Sequence, residues 1–321
     1  MIVPKFIKSG DTIGVTACSC GVLDKLDKYE KSIDNVKKHG FHIKETSNVR
    51  TNGRVSSDIQ TRVKEFDQLV RDDSVSLIQI VSGGDFLYDV LPYIDYSNIL
   101  KHVKWIGGSS DPTSLIYTIT TNLDIATIYT PCNMSGFSSD HLHQSYLDYF
   151  EIIKGNLVKQ YKSDNYESDD EVYNLSNEWN SFGKNINEEG ILIGGCIESL
   201  KDIIGTKLDK TIEFIEKYKD EGIIWYFDVF SMTSEDLYRT LLQFKNAGWF
   251  KYTKLIVIGK VRFPNTFTDL SYEESINNAL NEYQVIYKFD VGHVKPSMTM
   301  INGMKARIIY NEKEGSLEYL K

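Results

Sequence analysis

Residues 104–117 read KWIGGSSDPTSLIY. A short apolar strand runs into Gly107 and Gly108, then Ser109, Ser110 and Asp111, then a helix with Pro112 in its first turn, where the N–H that proline lacks is not needed. Glycine permits a sharp turn and the close approach of another group. A serine in such a turn sits beside N–H groups at the positive end of a helix, so a nucleophile and donors for an oxyanion meet at one place. The spacing Gly108-x-Ser110-x-Pro112 lacks the second glycine of G-x-S-x-G, which argues against an α/β-hydrolase. The same residues also read as an ordinary capped helix, with Ser or Asp as N-cap.

Working outward, the chain alternates short β-branched runs with amphipathic stretches, the pattern of a parallel sheet covered by helices. TIGVTA from Thr12, FHIKET from Phe41, SLIQIVS from Ser76, KWIGG from Lys104 and ATIYTP from Ala126 predict five strands. Helices are expected over Asp24–His39, Ser56–Asp72, from Pro112, and over His141–Lys154. A second glycine pair, Gly83 and Gly84, ends the third strand at the carboxyl edge of the sheet, where α/β proteins bind ligands. Gly84 is therefore placed to supply a further oxyanion N–H. From Val158 to Glu189 the periodicity fails in a Ser-, Asn-, Asp- and Glu-rich stretch that still holds Trp179, which reads as an ordered crossover. The expected division is an N-terminal α/β domain over 1–157, a crossover linker over 158–190 and a smaller C-terminal domain over 191–321. The last of these has strands at ILIGG, IIWYF, KLIVIGKV and VIYKFD, helices over Ser234–Ala247 and Ser271–Tyr283, and a closing hairpin around NEKEG.

The 321 residues carry 36 Lys plus Arg against 45 Asp plus Glu, a net charge of −9, which disfavours nucleic acid and anionic membranes as partners. No apolar run approaches the ~18 residues of a membrane helix, and MIVPKFIKSGD lacks a signal-peptide core, so a cytoplasmic protein is expected. Cys18, Cys20, Cys132 and Cys196 form neither a disulfide framework nor a zinc hook, and no metal or cofactor is expected.

A nucleophilic serine needs a base. Of six histidines, His39, His42, His102, His141 and His143 read as solvated. His293 differs, because FDVGHVKPSM places it in a loop between a strand and Pro296. A third group should fix its tautomer, and Asp228, the carboxylate ending the apolar strand IIWYFD, needs a partner if buried. Lys260 and Arg262 read either as partners for a substrate carboxylate or as solvated cations. Trp179 reads either as a stacking surface for a nucleobase or as a core indole.

These segments, in this order, resemble the serine peptidases of the L,D-carboxypeptidase and microcin C self-immunity family. PKFIKSGDTIGVTACS resembles the family's opening, SGGDFLYDVLPYID its glycine-pair segment and GGSSDPTSL its nucleophile motif; ILIGGCIESLKDIIGT, IIWYFDVF and GHVKPSMTM resemble its second half. The resemblance implies a glutamine-amidotransferase-like α/β domain followed by a swivelling β/α domain, and Ser110, Asp228 and His293 as the triad. It further implies Asp111 and Gly84 N–H groups at the oxyanion, a small peptide or muropeptide substrate, no cofactor, and a homodimer. A peptide-nucleotide antibiotic is the alternative substrate, and a weakened peptide-binding protein the alternative class. The family has Glu where this chain has Asp228, a side chain about 1.5 Å shorter. Either a backbone shift restores the contact with His293, or Glu235 substitutes for it.

Overall fold

The structure, a computed structural model, describes residues 1–51, 54–169 and 172–320. It divides into two units, one formed by Met1–Leu157 with Thr299–Asn302, the other by Val158–Met298 with Gly303–Lys321.

In the first unit β1 (Thr12–Thr16), β2 (His42–Glu45), β3 (Val75–Ile80), β4 (Trp105–Gly108) and β5 (Thr127–Tyr129) lie in the order β2-β1-β3-β4-β5, all parallel. Between them run α1 (Leu26–Lys38), α2 (Ile59–Arg71), α3 (Tyr96–Lys101) and α4 (Thr113–Leu123), and α5 (Gln144–Ile153) follows β5. Every residue of β4 is buried, and because successive side chains point to opposite faces, the sheet is covered on both sides there. The helices α2 and α5 start later than their sequence patterns suggest because their caps decide. Asp58 accepts the Thr61 N–H at 2.8 Å ahead of α2, and His143 Nδ1 accepts the Ser145 N–H ahead of α5.

The second unit contains β6 (Gln160–Tyr161), β7 (Asn165–Asp169), β8 (Val172–Ser176), β9 (Ile186–Cys196), β10 (Ile223–Asp228), β11 (Thr253–Gly259) and β12 (Val285–Phe289). After β12 the chain contributes β13 (Met300–Asn302) to the first unit's sheet, antiparallel to β5, and then returns for β14 (Lys305–Tyr310) and β15 (Gly315–Tyr319). The second sheet has the order β12-β11-β10-β9-β14-β15-β6, with β9 to β12 parallel and the other pairings antiparallel. Its helices are α6 (Ile197–Lys201), α7 (Thr211–Lys217), α8 (Ser234–Asn246) and α9 (Tyr272–Leu280), α9 starting in a capping box between Ser271 and Glu274. All six residues of β10 are buried. Trp225 stacks on Trp249 at 5.6 Å, and Phe244 on Trp249 at 4.5 Å.

Three expectations need correction. Residues 158–190 are not a linker: they supply β6, the separate two-stranded ribbon β7–β8 and the start of β9, all within the second unit, with residues 170 and 171 outside the described residues. Counted this way the second unit is not markedly smaller, since the two are nearly equal in length. The first sheet has six strands and not five, because β13 arrives from far along the chain.

Candidate functional site

In the first unit three strands deliver residues to one carboxyl edge. β4 ends into Ser109 and Ser110, β3 into Gly83 and Gly84, and β1 into Ser19 and Cys20. Ser110 has φ 69°, a left-handed conformation rare for a residue with a side chain and costing on the order of 1–2 kcal/mol. The turn is held through its backbone: the Ser109 N–H donates to Asn133 Oδ1 at 2.8 Å, Asn133 Nδ2 donates to the Ser109 carbonyl at 2.9 Å, and the Ser110 N–H donates to the Tyr129 hydroxyl at 3.1 Å. Ser110, not Ser109, is therefore the residue at the sharp point of the turn. Its side chain lies against Gly83, where an added Cβ would stand 3.1 Å from Ser110 Oγ, so glycine there spares the serine a tight contact. The Gly83 carbonyl accepts from the Cys20 N–H at 3.3 Å. In a trans peptide the Gly84 N–H then points to the other side.

Asp111 does not cap its own helix. Its Oδ2 accepts the Ser19 hydroxyl at 2.6 Å and the Leu87 N–H at 3.0 Å, while α4 has Pro112 as N-cap with no side-chain bond. The carboxylate is buried, and burial pushes its pKa up to about 6, against those two donors, which favour the ionised form. The reading of Ser or Asp as a helix cap is thus not what the residues do.

In the second unit the ends of β10 and β12 bring Asp228 and His293 together. Asp228 is 0% exposed; its Oδ2 lies 2.8 Å from His293 Nδ1, and its Oδ1 accepts the His293 backbone N–H at 3.0 Å. The shorter side chain reaches because Gly292, at φ 111°, has no Cβ: one placed there would stand 1.9 Å from Asp228 Oδ1. With Nδ1 turned to the carboxylate, the other ring nitrogen is the one left to exchange a proton. The Phe230 ring lies 4.5 Å from the imidazole. The loop after Asp228 is held by Glu198, whose Oε1 accepts the N–H groups of Phe230, Ser231 and Met232 at 3.0–3.2 Å.

The remaining candidates resolve otherwise. Glu235 accepts from the Phe267 and Thr268 N–H groups and from the Thr266 and Thr268 hydroxyls, which hold its carboxyl well below the usual range; it serves the 266–268 loop and not His293. Lys260 is not a solvated cation: it is buried, with Nζ 2.8 Å from Asp290 Oδ1 and 2.9 Å from the Lys288 carbonyl, and burial lowers its pKa despite Asp290. Arg262 pairs with Glu167 at 3.2 Å. Trp179 is a core indole, 2% exposed and 4.2 Å from Phe289. His39 is half-buried; its ring stacks on Phe150 at 4.0 Å, and burial lowers its pKa. Burial pushes the Cys18 thiol up to about 12 and Cys196 well above its ordinary value, so both are inert thiols. Among the described residues no group of three or more His, Cys, Asp or Glu side chains is arranged to hold a metal, and no helix is long and apolar enough to cross a membrane.

Residues 13–130 match the model of the LD-carboxypeptidase N-terminal domain, and residues 189–308 that of its C-terminal domain. The chain belongs to the LD-carboxypeptidase family. Membership makes it a serine-type carboxypeptidase, a hydrolase. Among relatives it is similar to the Microcin C7 self-immunity protein MccF of Escherichia coli, 26% identical over 96% of this chain and 93% of that protein. A Bacillus subtilis protein named "Probable murein peptide carboxypeptidase" is 24% identical over 98% of this chain and 94% of its own. The solved wild-type apo structure of MccF shares the fold, with a TM-score of 0.86 and 20% identity over 100% of this chain and 99% of that one; MccF has also been solved with aspartyl sulfamoyl adenosine.

Reasoning from sequence missed the supports of the LD-carboxypeptidase site candidates: Ser19, Tyr129, Asn133 and Glu167. Ser19 was within reach, since it ends β1 at the same sheet edge that flagged Ser110. The other three carry no local signal.

Proposed function

We propose that the chain hydrolyses an amide bond in a small peptide, removing the terminal D-alanine of a cytosolic muropeptide, with Ser110 as nucleophile, His293 as general base and Asp228 as the carboxylate that orients it. The observation that carries this reading is the pair of contacts from buried Asp228 to His293, one to the ring and one to the backbone. His293 takes the Ser110 proton as the hydroxyl oxygen attacks the amide carbon. The N–H groups of Asp111 and Gly84 donate to the oxyanion, and the imidazolium returns the proton to the leaving amine as the C–N bond breaks. Water, deprotonated by the same histidine, then attacks the acyl-serine and releases the acid. The substrate follows the carboxypeptidase names among the relatives, and with it come an L,D linkage, a cytoplasmic location and the homodimer of the resembling family.

The similarity to MccF favours a second substrate, an amide joining an aminoacyl group to a nucleotide-like leaving group. A peptide-binding protein without turnover is the less favoured reading, because it was motivated by a short reach from Asp228 and the carboxylate lies 2.8 Å from His293 Nδ1. The test is mass spectrometry of a muropeptide digest and of an aminoacyl-nucleotide amide, wild type against Ser110→Ala. Wild type should release alanine from the muropeptide, and Ser110→Ala should lose ~10⁴-fold or more with an unchanged melting temperature. Normal turnover by folded Ser110→Ala ends the nucleophile assignment, and cleavage of the nucleotide substrate alone transfers the conclusion to the second reading.

A further inference from the structure

The ribbon β7–β8 is a two-stranded sheet apart from the other two, and such ribbons are marginal alone. Among the described residues of its two strands one is buried, and it is a carboxylate, Glu167. Burying an ion is costly unless it is paired and hydrogen-bonded, so its partners matter. Glu167 Oε1 accepts the Lys295 N–H at 2.9 Å, and the Glu167 N–H donates to the Lys295 carbonyl at 2.8 Å, which fixes both polar groups of a residue two positions beyond His293. The same oxygen receives Arg262 Nη1 at 3.2 Å. Arg262 in turn donates its backbone N–H to the carbonyl of Val229, the residue after Asp228. One buried carboxylate is thus tied to the loop that carries the histidine and, through Arg262, to the strand end that carries its acid.

We propose that Glu167 is a positioning residue for His293: by holding Lys295 and Arg262 together it keeps the 292–296 loop where the imidazole stays on Asp228. It touches neither substrate nor reacting atoms. The assignment rests on the catalytic reading of His293 and adds to it a residue outside the triad, in a segment that neither family-domain match covers.

The test compares Glu167→Ala with Glu167→Gln in the full chain, by kcat and KM on the muropeptide, melting temperature, and the ¹⁵N imidazole signals of histidine-labelled protein. Glutamine keeps an oxygen for the Lys295 N–H and loses the charge for Arg262; alanine loses both. Both variants should melt earlier. Displacements near 1 Å cost ~100-fold in rate, so Glu167→Ala should lose ~10- to 100-fold in kcat with KM little changed, while Glu167→Gln stays within a few-fold of wild type. In Glu167→Ala the His293 signals should move from one fixed tautomer toward a mixture. Equal loss in both variants, kcat following the melting temperature alone, or unchanged His293 signals in Glu167→Ala would overturn the proposal. If wild type and Ser110→Ala are equally inactive, the catalytic reading fails, and the ¹⁵N signals still decide whether Glu167 positions His293.

Discussion

In the first unit the serine turn is fixed through main-chain groups: Asn133 brackets Ser109 from both sides, Tyr129 takes the Ser110 N–H, and Ser110 itself sits in a left-handed conformation. In the second unit the histidine is fixed through side chains, with Asp228 on its ring and backbone and Glu167 on the residue two further along. The serine's position is bought with backbone strain, whereas the histidine's depends on close packing around a carboxylate that Gly292 alone admits. The two regions should therefore answer mutation differently. Changes at the serine turn should separate activity from stability, and changes around Asp228 should damage both.

The comparison is tested hardest at Asp228. Asp228→Asn removes the charge and favours the wrong imidazole tautomer, so kcat/KM should fall by up to ~10⁴-fold. A wild-type rate in that variant would reduce Asp228 to a strand-end carboxylate. Asp228→Glu introduces the residue that the resembling family carries, yet Gly292 packs so closely on Asp228 that even a Cβ there would stand 1.9 Å from Oδ1. An extra methylene there should lower kcat/KM by ~100-fold and the melting temperature with it. Activity at or above wild type would show that the loop yields.

Asp111 sharpens the contrast from the first unit. Its pKa in the fold, about 6, lies above the ordinary 3.8, so folding favours the protonated carboxyl. The stability this contributes is fully present below the unfolded value and is lost as pH rises from about 4 to about 6. Asp111→Asn, which resembles the protonated form, should flatten the melting temperature across that window and gain on the order of 2 kcal/mol at pH 7. A melting profile parallel to wild type would mean the donors from Ser19 and Leu87 outweigh burial. The smallest effect on stability belongs to Ser110→Gly, which removes the proposed nucleophile and relieves its φ, raising stability by about 1 kcal/mol in thermal unfolding. Ser110→Ala keeps the strain and should show no such gain.

How much of this was legible in the sequence depended on how far each signal reached. The runs SLIQIVS and IIWYFD announced parallel strands because burial on both faces leaves a continuous apolar record. His293 stood out because glycine and proline around it exclude regular structure, and Asp228 because an apolar strand ending in a carboxylate demands a partner. Their pairing was expected, but the way the shorter carboxylate reaches was not legible, since it turns on Gly292 leaving room for an oxygen 64 residues back along the chain. Lys260, Arg262 and Glu167 were misread or passed over for the same reason: Asp290 and Lys295 lie far from them in sequence, and nothing local marks a cation as buried. The ribbon β7–β8 hid within a polar composition that looks like loop, because among the described residues of its strands only Glu167 is buried.

The three residues of β13 have a consequence for how the chain is made. They close the first sheet by covering β5, yet they are synthesised about 170 residues after it. At roughly 5–20 residues per second, β5 waits on the order of 10–35 s as an open edge while the second unit leaves the ribosome. An uncovered strand edge is a template for pairing with other chains. A fragment ending at residue 157 would keep that edge permanently, so the nascent first unit should need chaperone protection in a way that the finished protein does not.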